Sequence, residues 1–461
     1  MGKKVVKLVF LLLVLIGIGS GIYITVRREN LKNQDKKKIE DIFLSVQTKT
    51  ANLTNFYTYG DTLNIEGELS NISKDNFEGA RIIITDGINE KWVSLDTRIE
   101  EKRLIFSTAQ INDAIELDSL DLGDYYILLR VKLNNSSVPK VYFLAPTSEL
   151  SSIEYYTVTK NSENRKASIE VVETEFEEKT YKYLLVKVMN SEIPEDFYDF
   201  VIDSGHGGKD VGERSGSHTE ADMTLEYAKH LKLKLEELGL KIKLTRDDEN
   251  SSKFTYTNMY DSDGRIGIAC SSKAKYMISF HVNNGNSNLT GLEIYAPTRS
   301  NLNFAKLMAD KIVDSGANTY SNNNGFKEKD GVYVWNFTKS VINQFAKTAE
   351  KKGYEPYNIT ENTPYQYTIR EVGGVATNAY VDGRNKDYSK NEYYNSRQGI
   401  ECYQVELGYI KTDLDKILYN REAYVNSITE AIKEYLNLWI YCFFTKNVIW
   451  LVISCYAIEI Q

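Results

Sequence analysis

Val201-Ile-Asp-Ser-Gly-His206-Gly-Gly-Lys-Asp210 is an apolar run that ends on a histidine flanked by glycines. The pattern returns at Tyr276-Met-Ile-Ser-Phe-His281-Val, in a chain that has only 4 histidines. Short apolar runs bounded by turn residues read as buried strands, and sites in open α/β sheets gather outside the carboxyl ends of such strands. Imidazole is a common zinc ligand. Glu220 lies between the two histidines and Glu406 beyond them. The ingredients of a His-Glu-His metal centre with a spare carboxylate are therefore present.

Outward from this stretch the hydrophobic period changes from strand to helix. Glu220 to Leu238 sets Thr224, Ala228, Leu231, Leu235 and Leu238 on one stripe, Gly239 stops the helix, and Lys241-Ile-Lys-Leu-Thr follows as a strand. The alternation continues through Met277-Ile-Ser-Phe, Gly291-Leu-Glu-Ile-Tyr-Ala, helices near 302–313 and 336–352, the strand Cys402-Tyr-Gln-Val-Glu-Leu and a closing helix with Val425, Ile428, Ile432 and Leu436 in register. This predicts an α/β domain over 197–438, a mixed sheet flanked by helices. Residues 45–196 read instead as short alternating runs with turn signals, which predicts a β-sandwich, immunoglobulin-like module. The strands expected at 150–197 either complete that sandwich or form a separate β linker. Tyr354 to Gly399 is Tyr- and Asn-rich and poor in periodicity, so it reads as a binding loop, a lid or a solvated insertion.

The 461 residues are too many for one ordinary domain. A net charge of -8 gives no encouragement to a nucleic-acid reading, which would want a basic face, and no nucleic-acid partner is expected. Cys270, Cys402, Cys442 and Cys455 form no CxxC pair, so no disulfide framework or cysteine-based zinc knuckle is readable. From Leu8 to Val26 the chain is uncharged and largely apolar, long enough to span a bilayer. Residues 1–28 are therefore expected to be an uncleaved transmembrane anchor, the alternative being a signal peptide cleaved near Gly17-Ile-Gly-Ser-Gly, with 29–44 as a charged stalk. Counting Lys and Arg on the two flanks would leave the bulk of the chain in the cytoplasm; the functional expectation below reverses that orientation. Trp439 to Gln461 turns abruptly apolar around Lys446, and reads as a second membrane segment, a docking hairpin or a non-native tail.

Each candidate has a bland reading beside the chemical one. His206 alone could be a turn histidine. Glu220 could close a capping box with Ser217, although Thr219 and Asp222 fit the same template and would release it for a metal. His218 is a competing ligand, and His230, beside lysines, reads as a surface residue. His281 sits at a strand exit before Asn283-Asn284-Gly285. Glu406 interrupts an apolar strand, so it needs a cation, a hydrogen-bond network or a catalytic task.

Six motifs then arrive in order: Val201 to Asp210, Thr219-Glu-Ala-Asp, Leu244-Thr-Arg-Asp, Arg265-Ile-Gly-Ile-Ala, Ser279-Phe-His-Val-Asn and Val405-Glu-Leu-Gly-Tyr-Ile. Together they resemble the zinc-dependent N-acetylmuramoyl-L-alanine amidases of bacterial cell-wall turnover, over about 197–437. The resemblance implies Zn2+ held by His206, Glu220 and His281, Glu406 as the catalytic carboxylate, and peptidoglycan as substrate. A substrate outside the cytoplasm would put the catalytic domain on the wall-facing side of the single-pass membrane anchor expected at 1–28, and any protein activator is left open. Two departures stand out: Ser204 occupies a position where proline is usual, tolerable in a turn, and the segment between His281 and Glu406 is unusually long. A non-catalytic wall-binding or activator protein and a zinc peptidase acting on the stem peptide are the alternatives.

Overall fold

The computed structural model describes residues 37–436 and 438, apart from 110–111, 159–163, 249–258, 301, 354–358, 378–390 and 394. The carboxyl-terminal half is built on a seven-stranded sheet. Its strands run in the order Ile242–Leu244, Phe200–Ser204, Tyr276–Asn283, Glu401–Tyr409, Glu293–Tyr295, Val332–Tyr333 and Lys327–Lys329. The first four are mutually parallel, and Glu293–Tyr295 joins antiparallel to Glu401–Tyr409, so the sheet is mixed.

Alternation within each strand feeds two cores, because successive side chains leave opposite faces. Ile202, Ile278, Phe280, Tyr403 and Val405 pack with Leu231, Met308 and Ile428 of the helices Glu220–Glu236, Leu302–Asp314 and Arg421–Tyr435. Val201, Met277 and Cys402 face the other way, against Ile266 and Ile369 of the short helices Arg265–Ser271 and Tyr367–Val372. Helices thus cover both faces, and a buried aliphatic or aromatic side chain here stabilises by about 1.5–3 kcal/mol. The sheet's carboxyl edge stays open to polar loops.

The amino-terminal part is sheet-rich. Its strands, from Ala51–Tyr59 to Lys179–Asn190, hydrogen-bond into one thirteen-stranded system around Phe56, Ile65, Ile82, Leu129, Ile169 and Val186. Ile153–Val158, Asn164–Phe176 and Lys179–Asn190 pair in turn and join Gly123–Leu133, so they extend this sheet and are no separate linker. Residues 37–45 are helical and seat Phe43, 2% exposed, among Tyr126, Phe143, Phe176, Tyr181 and Tyr183. The end of the expected stalk is thus docked on the sheet, because burying one ring among five outweighs the solvation of its charged neighbours.

The thirteenth strand comes from the other half of the chain. Gln398–Gly399 runs parallel to Ala51–Tyr59, with Thr58 opposite Gln398 and Tyr59 opposite Gly399. The 354–399 segment is therefore no structureless loop: it contains the helix Tyr367–Val372 and ends as a strand on the neighbouring sheet.

The expectation of a single-pass membrane protein with a wall-facing domain is corrected. No helix among the described residues is long and apolar enough to cross a membrane. The apolar run at 1–28 that carried the expectation, like the tail at 439–461, lies outside the described residues.

Candidate metal centre

His206 lies one residue, Gly205, beyond the Phe200–Ser204 strand, with φ at 59°, a left-handed conformation that is uncommon for a residue with a side chain. Two arginines hold that turn from beneath. Arg265 donates from Nε to Asp203 Oδ1 at 2.7 Å and from Nη2 to the carbonyls of Ser204 and His206 at 2.9 and 2.8 Å. Arg246 donates from Nη2 to the carbonyls of Gly205 and Ala221 at 3.1 and 2.7 Å, and from Nε to that of His206 at 3.0 Å. Buried carbonyls need such donors, and the guanidinium fork supplies several at once. Asp203, fully buried, also accepts from Thr245 and Ser279, both at 2.6 Å. Burial would raise its carboxyl, but Arg265 and these hydroxyls outweigh burial and hold it below its usual range.

Glu220 is the first residue of its helix, and Thr219 is the cap, accepting from Asp222 N at 3.1 Å. The carboxylate is thereby free to turn inward. Its Oε1 accepts from Val282 N at 2.8 Å and lies 3.1 Å from His281 Nδ1; its Oε2 accepts from Glu213 N at 3.0 Å and lies 3.1 Å from His206 Nε2. Burial pushes the Glu220 carboxyl up, but the two imidazoles outweigh it and hold it far below the ordinary value. Burial lowers His206, and the charges of Glu220 and Asp210 more than reverse that.

Ligand atoms of His206, Glu220 and His281 all lie within 4.8 Å of one another. The two imidazole centroids are 5.1 Å apart. Asp210 Oδ2 sits 3.0 Å from His206 Nδ1, the carboxylate–imidazole pairing that fixes the ring and tautomer of a ligating histidine. His281 Nε2 is buried without a hydrogen-bond partner, a costly arrangement unless something else satisfies the atom. The donor set, the supported ring and the orphaned nitrogen all fit a divalent ion. Glycine is needed here: a Cβ on Gly205 would lie 2.5 Å from His281 Cε1, and one on Gly212 2.6 Å from Glu220 Oε2.

Glu406 reaches the same edge from the adjacent strand, where its Cα pairs with that of His281. It accepts from Gln404 Nε2 at 2.8 Å, and Gln404 Oε1 accepts from Thr368 Oγ1 at 3.0 Å. Burial and the charge of Glu220 push the Glu406 carboxyl up to about 8, against the pull of Gln404. On its other side Glu406 pairs with Glu293, which is fully buried and accepts from Asn283, Tyr295, Ser321, Asn323 and Tyr409.

Residues 200–437 match the profile of the N-acetylmuramoyl-L-alanine amidases. The chain belongs to that family. Its members act on peptidoglycan, and the polar edge just described falls inside the matched region. Over 164 residues the chain is 27% identical to the uncharacterized protein YqiI of Bacillus subtilis (strain 168), spanning 34% of this chain and 75% of that one. Among solved structures it is similar to the catalytic domain of CwlV, an N-acetylmuramoyl-L-alanine amidase from Bacillus (Paenibacillus) polymyxa var. colistinus, at 18% identity and a TM-score of 0.33, covering 52% of this chain and 99% of that one. Another is the amidase AmiC2 of Nostoc punctiforme, at 20% identity and a TM-score of 0.29, covering 52% and 97%.

The structure brings His206, Glu220 and His281 into one cluster and sets Glu406 beside it. It leaves His218 exposed and outside the cluster. His230 is half-buried on the flank of its helix and likewise lies outside the cluster. Ser204 is a buried strand residue paired with Phe280, so its tolerance has nothing to do with a turn. Sequence reading gave no task to Asp203, Asp210, Arg246, Arg265, Gln404 or Glu293. A charged residue inside an apolar strand, as at Asp203 and Glu293, was the signal available for two of them.

Proposed function

We propose that this chain is a zinc-dependent N-acetylmuramoyl-L-alanine amidase that cleaves the amide between the lactyl group of N-acetylmuramic acid and the first L-alanine of the stem peptide. The observation that carries it is the convergence of His206, Glu220 and His281 within 4.8 Å, beside a buried carboxylate. Those three residues would hold the zinc, and Glu406 would be the catalytic acid–base. When bound, zinc supplies a Lewis acid for the substrate carbonyl and lowers the pKa of water.

The protein's own groups do the rest. Glu406 takes a proton from the attacking water and returns it to the departing amine nitrogen, the paired base and acid roles of one carboxyl. Burial suits it to both, since a carboxyl pushed up to about 8 exchanges protons near neutrality. Gln404 orients it, and Thr368 orients Gln404. Asp210 holds the His206 ring, while Arg246 and Arg265 keep the histidine turn in its strained shape. The catalytic domain in this reading runs from 197 to 438, and the 45–196 module is a sandwich-like spacer clamped to it through Gln398–Gly399.

Digestion of purified sacculi by the metal-loaded full chain, followed by mass spectrometry, tests the reading. Glycan strands with free lactyl carboxyls and peptides with a free L-alanine amine are expected. Trimmed peptides on intact muramoyl amides would make the chain a stem-peptide peptidase instead, and no products at all would favour a binding protein.

A further inference from the structure

Phe326 is the one apolar side chain among the described non-glycine residues with positive φ, at 63°, and it is 44% exposed. Neither property helps the fold, since a bulky L-residue is strained in the left-handed region and an exposed ring gains little from burial. The ring is nonetheless held in a defined place. It stacks on Trp335, with centroids 5.0 Å apart and planes 18° from parallel, and Trp335 stacks on Tyr365 at 4.2 Å and 15°. Backbone bonds fix the array: Val334 N donates to Phe326 O at 2.9 Å, and Tyr365 N to Trp335 O at 2.7 Å. Trp335 and Tyr365 are themselves only half-buried.

This array is tied to the candidate centre from two sides. Trp335 packs against Tyr295 with centroids 6.2 Å apart, and the Tyr295 hydroxyl donates to Glu293, the cross-strand neighbour of Glu406. Two residues past Tyr365, the Tyr367 hydroxyl accepts from Arg265 at 2.6 Å, and Thr368 is bonded to the Gln404 that orients Glu406. Asn323 donates to Glu293, and Asn336, next in sequence to Trp335, accepts from Thr298 at 2.6 Å.

We propose that the Phe326–Trp335–Tyr365 stack is a carbohydrate subsite that takes the apolar C–H face of an N-acetylhexosamine ring in the glycan strand. The assignment rests on the amidase reading, which requires a sugar polymer to lie across this edge because the scissile amide hangs from one of its rings. A flat, uncharged aromatic surface matches the apolar face of a pyranose. The strained backbone at Phe326 is then explained by function: it aims the outermost ring.

The test uses the metal-loaded full chain and N-acetylglucosamine tetramer, which carries no stem peptide and no muramoyl amide. Binding is read by Trp fluorescence and calorimetry. The parent is expected to bind, and Phe326→Gly to bind roughly tenfold more weakly. Glycine is at ease at this φ, so the variant should melt no lower than the parent. On sacculi the variant should show a KM raised roughly tenfold with kcat kept, whereas N-acetylmuramoyl-L-alanyl dipeptide, which has no flanking sugar, should be cut equally by both. Phe326→Tyr should restore parental binding. Parent protein that ignores the tetramer, or a Phe326→Gly variant that binds it as the parent does, overturns the subsite. Failure of the parent to release lactyl groups sinks the amidase reading instead, and leaves the tetramer result to judge the stack separately.

Discussion

The two ends of the Glu401–Tyr409 strand carry buried glutamates in nearly the same electrostatic state. Glu401 is 4% exposed and Glu406 5%, and burial pushes both carboxyls up to about 8. Glu401 faces the amino-terminal sheet, near Asp61 and Tyr276, and accepts from the Tyr403 hydroxyl. Glu406 faces the histidine cluster. A perturbed carboxyl is therefore not in itself a mark of chemistry. What separates the two ends is the company: metal-competent side chains at one, an aromatic interface between the two halves of the chain at the other.

The strongest way to break that contrast is to neutralise each glutamate in turn. Glu406→Gln should lower turnover on sacculi by roughly 10²–10⁴-fold while bound zinc, measured by elemental analysis, stays at about one equivalent. His281→Ala should lose both metal and turnover. Full turnover in Glu406→Gln would reduce that residue to the status of its counterpart at Glu401.

Glu401→Gln should leave turnover within about twofold and change stability with pH. A carboxyl raised from 4.5 to about 8 on folding favours the folded state fully below 4.5, and that contribution fades as pH climbs toward 8. The parent should therefore lose up to about 1.4 kcal/mol per pH unit between pH 5 and 8 relative to the glutamine variant. Urea melts at three pH values measure the difference. Equal slopes in the two proteins would show that Glu401 is not buried as described.

Gly60→Ala probes the same interface sterically. Gly60 has φ at 58°, and a Cβ there would lie 2.5 Å from Glu401 Oε2. A loss of about 1–2 kcal/mol in stability is expected, with zinc content unchanged. Loss of metal in this variant would mean the two ends of the strand are coupled. The smallest effect is expected from Thr368→Val, which removes the hydroxyl bonded to Gln404. Losing one such bond is worth about 1 kcal/mol, so kcat should fall roughly fivefold with KM unchanged.

Much of the carboxyl-terminal half was legible because strand and helix periods are local. The run Val201 to Asp203, the stripe from Thr224 to Leu235 and the apolar strand around Glu406 each announce their element within a few residues. His206, Glu220, His281 and Glu406 stood out as polar groups where an apolar core wants none. Arg246 and Arg265 did not, because their work is to satisfy carbonyls of a turn 40 and 59 residues away in sequence. The order within 354–399 was also hidden: Gln398–Gly399 becomes a strand only because the Ala51–Tyr59 edge is there to pair with it.

By itself the sequence determined the alternation of elements, since hydrophobic period is local, and its six ordered motifs carried the family resemblance that singled out His206, Glu220, His281 and Glu406. Only the tertiary structure decided which carboxylates share a pocket. It alone clamped the two halves of the chain together and stacked three aromatic rings from separate segments. Such arrangements depend on distances between residues far apart in the chain, which no local pattern encodes.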